Sequence, residues 1–187
     1  MKRLTSQKTL MILDAILQAP SFTQSKISEK SNVSIGRVNT ITKWLIQKGI
    51  AKRETGRYLL IAPNKLIRHI ADQHVLEEDR TIEINCTKKE AKKILKKEAI
   101  LCLHSALEEI QEIEITEELH AYANPNIITT LNRLDPGQTK IILHKEPKTI
   151  MTKESITSPI QTMIDLHAVE ENKLTKELSL RLWDTLQ

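Results

Sequence analysis

"SNVSIGRVNTITKWLIQKGIAKRETGRYLL", residues Ser31 to Leu60, packs a polar turn, an apolar-striped segment and a basic loop into one short run. The chain has four glycines, and three of them, Gly36, Gly49 and Gly56, fall here among Arg37, Lys43, Lys48, Lys52, Arg53 and Arg57. Asn32 suits a turn, Val33 fills beneath it, and Ser34 stands where a helix needs its N-cap. Beyond it, Ile35, Val38, Ile41, Leu45 and Ile46 recur at steps of three and four, the spacing of one helix face. The other face carries Gly36, Arg37, Asn39, Thr40, Lys43 and Gln47. Gly49 suits the left-handed position that terminates a helix. After it, "IAKRETGRYLLI" alternates weakly around Thr55-Gly56 and predicts two short strands joined by a basic tip.

Working outward, Thr5 or Ser6 caps a first helix with Leu10, Leu13, Ile16 and Leu17 on one face, and Pro20 ends it. Thr23 caps a short second helix, "QSKISEKS", that points Ile27 inward. Helix, helix, polar turn, helix, basic hairpin is the order of a winged helix-turn-helix. A major groove about 12 Å wide admits one helix, so that helix must be apolar inside and short or basic outside. The residues expected at double-stranded DNA are Ser34, Gly36, Arg37, Asn39, Thr40 and Lys43 on the helix over residues 34–48. Gly36 permits close backbone approach, Arg37 matches guanine bidentately and Asn39 matches adenine. Lys43 and, on the wing over residues 51–61, Arg53 and Arg57 are expected at phosphates, with a wing arginine in the minor groove as the alternative geometry.

The charge supports this placement. Residues 1–75 hold 13 Lys+Arg against 4 Asp+Glu, a net of +9, whereas residues 76–187 hold 15 against 20, a net of −5. A basic half joined to an acidic half puts the polyanion on the first half. Charge alone fits RNA or an anionic membrane surface equally, and the motif favours DNA. Apolar residues make up 40% of the chain and aromatics 3%, so its core is aliphatic. No apolar run is long enough for a membrane span or a signal peptide, and Cys86 and Cys102 lack the spacing of a zinc or disulfide framework. A cytoplasmic location is the expectation.

The segment "KISEKSNVSIGRVNTITKWLIQKGIAKR" resembles the winged-helix domains of MarR-like and similar prokaryotic regulators. Ile50 and the charges after it match that family's entry into the wing, and the likeness covers residues 1–62.

Past "KLIRHIADQHVL", an amphipathic segment opened by Pro63-Asn64, the texture changes. "RTIEINCT" predicts a strand, "KKEAKKILKKEAILCLHSALEEI" a long helix or a helix pair, and "HAYANPNIITTLNRLD" a strand and helix capped by Asn124 or Asn126. "QTKIILHKE" predicts a buried strand. Ser158 and Pro159 open another helix, and "LTKELSLRLWDTL" closes the chain as a last one. No catalytic constellation emerges. Gly137 is the only glycine after Gly56, so a Gly-rich phosphate loop is excluded. His104, His120, His144 and His167 stand singly, without metal-binding spacing. Lys88, Lys89, Lys92, Lys93, Lys96 and Lys97 read as a solvated helix face. His104-Ser105 with Asp165 lacks the nucleophile elbow of a hydrolase. Neither a cofactor nor a metal is expected, and the chain reads as no enzyme.

"ILCLHSALEEI", "KIILHK" and "ITSPIQTMIDL" resemble segments of abortive-infection antitoxins of the type IV (AbiE) class. The resemblance implies a winged helix followed by an α/β domain, repression of the protein's own operon, and neutralisation of a nucleotidyltransferase toxin. The reading is therefore an α+β protein: a winged helix-turn-helix over residues 1–75, then an acidic mixed α/β domain over residues 76–187. Its function is that of a DNA-binding transcription regulator acting as a repressor, with homodimerisation and a toxin or effector as partners of the second domain. An antitoxin-like interaction protein and a divergent enzyme domain fused to a DNA-binding module stay open beside it.

Overall fold

A computed structural model describes Leu4, residues 6–147 and residues 151–183. The chain forms two compact units, Met1–His74 with Lys176–Gln187, and Val75–Thr175.

The first unit opens with α1 (Gln7–Leu17), β1 (Ser21–Phe22), α2 (Gln24–Ser31) and α3 (Ile35–Gln47). The wing, β2 (Ala51–Glu54) and β3 (Arg57–Leu60), and α4 (Pro63–Ala71) follow. Leu10, Ile12, Leu13 and Ile16 of α1, Ile27 of α2, and Val38, Ile41 and Leu45 of α3 are buried. The caps explain where these helices begin and end. Thr23 Oγ1 accepts from the Lys26 amide, and Asn32 terminates α2 at φ 50°, a left-handed conformation that Asn tolerates. Gly49 ends the α3 segment at φ 64°. Neither Ser6 nor Ser34 caps through its side chain, although both occupy the N-cap position. Ser34 contributes instead its carbonyl, which accepts from the Arg37 and Val38 amides.

The apolar stripe of α3 is narrower than its sequence spacing predicts. Val38, Ile41, Thr42 and Leu45 are buried, whereas Ile35 is 52% and Ile46 39% exposed. At 100° per residue, Ile35 and Ile46 both fall on one edge of that stripe, about 60–80° around the helix from Val38. β1 pairs with β3, which makes a three-stranded sheet in the order β1-β3-β2. The final helix α9 (Asn172–Trp183) joins this unit from Lys176 onward. Its Trp183 indole donates to the Leu17 carbonyl at 3.0 Å, and its Ser179 hydroxyl donates to Asn64 Oδ1 at 2.6 Å.

In the second unit, the described residues form a six-stranded mixed sheet in the order β4-β7-β6-β5-β9-β8. The strands are β4 (Glu78–Ile84), β5 (Ile100–Leu101), β6 (Leu119–Ala123), β7 (Thr139–Lys145), β8 (Thr152–Lys153) and β9 (Ile156–Thr157). The Lys-rich run resolves into a helix pair, α5 (Lys88–Glu98) and α6 (Leu103–Gln111), with β5 between them. α7 (Pro125–Leu131), capped by Asn124 through two amides, crosses between the parallel strands β6 and β7. α8 (Pro159–Ala168) starts at Ser158, whose hydroxyl accepts from the Gln161 amide. Leu119 and Ala121 join the apolar core with Ala91 and Leu95 of α5 and Ile127 and Leu131 of α7. Strand alternation points His120 and Tyr122 the other way. A Cβ on Gly137 would collide with the backbone of Asn85 and Ile84, so this glycine is required by close approach at the end of β4.

Candidate nucleic-acid interface

α3 presents three kinds of surface outside its buried stripe. At 100° per residue, Gly36, Thr40, Lys43 and Gln47 stand opposite the stripe. All four are exposed, and nothing lies within 4 Å of a Cβ added at Gly36. Thr40 donates its hydroxyl to the Gly36 carbonyl at 3.0 Å. Arg37 flanks this front on one side and turns toward α1, where one guanidinium nitrogen donates to Ser6 Oγ at 3.1 Å and Thr9 Oγ1 at 3.3 Å. Asn39 flanks it on the other side, toward α2, where its Oδ1 accepts from Gln24 Nε2 at 3.2 Å. Ser34 sits exposed at the start of the helix, beside the exposed Ile35.

The wing closes through Thr55 at φ 42° and Gly56 at φ 79°, the two positive angles of a type I′ hairpin turn. A threonine there costs on the order of 1–2 kcal/mol relative to glycine. Strand register decides where the wing arginines go. Arg53 lies opposite Tyr58, and Glu54 opposite Arg57. Opposed residues share a face and neighbours alternate, so Arg53 and Arg57 project from opposite faces of the hairpin. Arg53 shares its face with Tyr58, which stacks on Phe22 at a ring separation of 5.6 Å. Arg57 shares the other with Glu54 and Lys52, themselves 3.6 Å apart. Among the described residues no carboxylate pairs with Lys43, Arg53 or Arg57. These three exposed cations, and Arg37 with only hydroxyl partners, are open to an external anion.

Two further polar residues border this front, Gln47 on the exposed face of α3 and Gln24 on α2. Gln47 was visible in the helical spacing, whereas Gln24 meets Asn39 only through the packing of α2 on α3.

The second unit pairs part of its charge internally. Glu108 of α6, 3% exposed, accepts from Lys88 and Lys92 at 2.9 Å each and from the Ile115 and Thr116 amides at 2.9 and 3.0 Å. Burial pushes its carboxyl up, and these donors outweigh that effect and hold it at about 2. Lys92 and Lys96 also pair with Glu109, so the lysine face of α5 is in part an ion-pair seam onto α6. The three histidines that stand apart in sequence come together in a row with successive ring separations of 5.4 Å: His120 stacks on His144, and His104 lies tilted against His120. Burial, then the neighbouring His144 and His104, lowers His120 to about 4, so the row is neutral at His120 near pH 7. Ser105 Oγ accepts the His120 amide at 2.8 Å, and Asp165 Oδ1 accepts from Tyr122 and Gln161 at 2.8 Å each. His104 instead faces Glu171 at 3.6 Å. Among the described residues no group of three or more His, Cys, Asp or Glu is arranged to hold a metal ion, and no helix is long and apolar enough to cross a membrane.

No curated protein and no solved structure matches the chain. Residues 5–52, which run from the start of α1 into the first wing strand, match the family model of winged helix-turn-helix DNA-binding domains. The N-terminal unit is thus a winged helix-turn-helix similar to that DNA-binding family.

Proposed function

We propose that the chain is a sequence-specific transcription regulator that represses by occupying double-stranded DNA. α3 enters the major groove, and the wing takes backbone phosphates. The observation that carries this reading is the exposed front of α3 beside unpaired Lys43, Arg53 and Arg57, in a unit similar to a DNA-binding family. Gly36 lets the helix backbone close on base edges, with Thr40 and Lys43 leading. Ser34, Arg37 and Asn39 contact DNA from its flanks. The acidic second unit repels DNA and serves regulation, by homodimerisation or by binding an effector.

A second reading gives residues 76–187 an antitoxin-like role against a nucleotidyltransferase. Its support is that Ser105 and Asp165, both within the segments resembling those antitoxins, anchor hydrogen bonds in the buried part of one unit.

The experiment is selection of binding sites from a random duplex library by the full chain, followed by affinity for the selected site across a salt series. The wild type should enrich one motif, and a reporter driven by that motif should fall when the protein is present. Each phosphate contact contributes about 0.9 to the slope of log affinity against log salt. Arg53→Ala and Arg57→Ala should each lower the slope by that amount while the motif stays the same. Absence of any enriched motif, together with an unchanged slope, overturns the reading.

A further inference from the structure

We propose that Gln24, the first residue of α2, is a specificity-determining residue that sets which edge of the Asn39 amide is offered to DNA bases. This rests on the DNA-reading assignment above. Gln24 Nε2 donates to Asn39 Oδ1 at 3.2 Å, and both residues are half-buried where α2 packs on α3. A primary amide is planar, with its carbonyl on one side and its NH2 group on the other. Tying the carbonyl of Asn39 to α2 therefore turns its NH2 group away from α2.

The consequence is a change of partner base. A free asparagine reads adenine with both halves of its amide, accepting from N6 and donating to N7. Asn39 with its carbonyl held by Gln24 offers donors outward. Donors match the bases whose major-groove edge accepts, guanine through N7 and O6 or thymine through O4. Among the described residues, no side chain other than Gln24 is hydrogen-bonded to the Asn39 amide. Thr40 donates to the Gly36 carbonyl, and the Arg37 guanidinium donates to Ser6 and Thr9.

The test compares site selection by the full-length wild type, Gln24→Glu, Gln24→Ala and Asn39→Ala, with tryptophan fluorescence reporting that each variant is folded. The wild type should require guanine or thymine at one position, and Asn39→Ala should remove that requirement by about tenfold or more. Gln24→Ala should relax it. Gln24→Glu is the decisive variant, because a carboxylate only accepts: it draws the Asn39 NH2 group toward α2 and turns the carbonyl outward. Preference at that one position should then move to adenine or cytosine, whose edges donate, while other positions keep theirs. An adenine or cytosine at the Asn39-dependent position in the wild type overturns the inference, as does an unmoved preference in Gln24→Glu. A wild type that enriches no motif overturns the DNA-reading assignment itself, and the inference with it.

Discussion

Replacing Glu108 with Gln removes one charge and almost no volume from the α5–α6 seam, and its cost can be worked from the structure. The folded carboxyl is held at about 2 against an ordinary 4.5. At 1.36 kcal/mol per pKa unit, that difference is worth about 3 kcal/mol to the second unit at neutral pH. Breaking a buried ion pair by removing one partner costs about 3–5 kcal/mol in general, so two independent routes agree. The sign follows from the lowered pKa: the stabilisation is present above pH 4.5 and is lost as pH falls toward 2. The gap between wild type and Glu108→Gln should therefore shrink by about 1 kcal/mol between pH 7 and pH 4. Both tryptophans, Trp44 and Trp183, lie in the first unit, so fluorescence follows that unit alone. Amide hydrogen exchange in peptides spanning α6 and β6 follows the second. The variant should accelerate that exchange roughly a hundredfold at pH 7 and leave the tryptophan transition in place. Wild-type exchange rates in Glu108→Gln at pH 7 would refute the reasoning, as would a gap that stays constant down to pH 4.

Gly36→Ala should raise the stability of the first unit by about 0.5–1 kcal/mol, since an added Cβ meets nothing and helical glycine is costly. The same variant should weaken binding to the selected site, and unchanged affinity by fluorescence anisotropy would remove Gly36 from the close-approach surface. His120 should stay neutral at pH 5 in a side-chain NMR titration, because burial and its histidine neighbours hold it at about 4. Its contribution to stability should be complete above pH 6.5 and lost on acidification toward pH 4, and a midpoint near 6.5 would sink that account.

Sequence alone determined those features whose causes act within one helical turn or one hairpin. Asn32, Gly49 and Thr55-Gly56 adopt the positive φ angles their turns require, and Asn124 and Ser158 cap the helices they precede. These are local equilibria between a few backbone conformations, and the residue type biases them directly. The winged-helix order, and with it the exposed front of Gly36, Thr40 and Lys43, was legible for the same reason.

Tertiary structure decided everything that depends on which distant surfaces meet. The two-residue strand β1 exists only because β3 supplies its partners, and no propensity of Ser21–Phe22 encodes that pairing. Strand register places Arg53 and Arg57 on opposite faces, although in sequence they flank one turn. Packing of α1 and α2 on α3 gave Arg37 and Asn39 their partners Ser6, Thr9 and Gln24 and left Ile35 and Ile46 outside the core. The helix from Lys176 clusters with the first unit, a return that a division of the sequence at residue 75 does not encode. His104, His120 and His144 lie far apart along the chain, and α6, β6 and β7 bring them into one row. Spacing rules see only neighbours on one element, whereas burial and charge pairing act through space between elements whose separation along the chain carries no periodic signal.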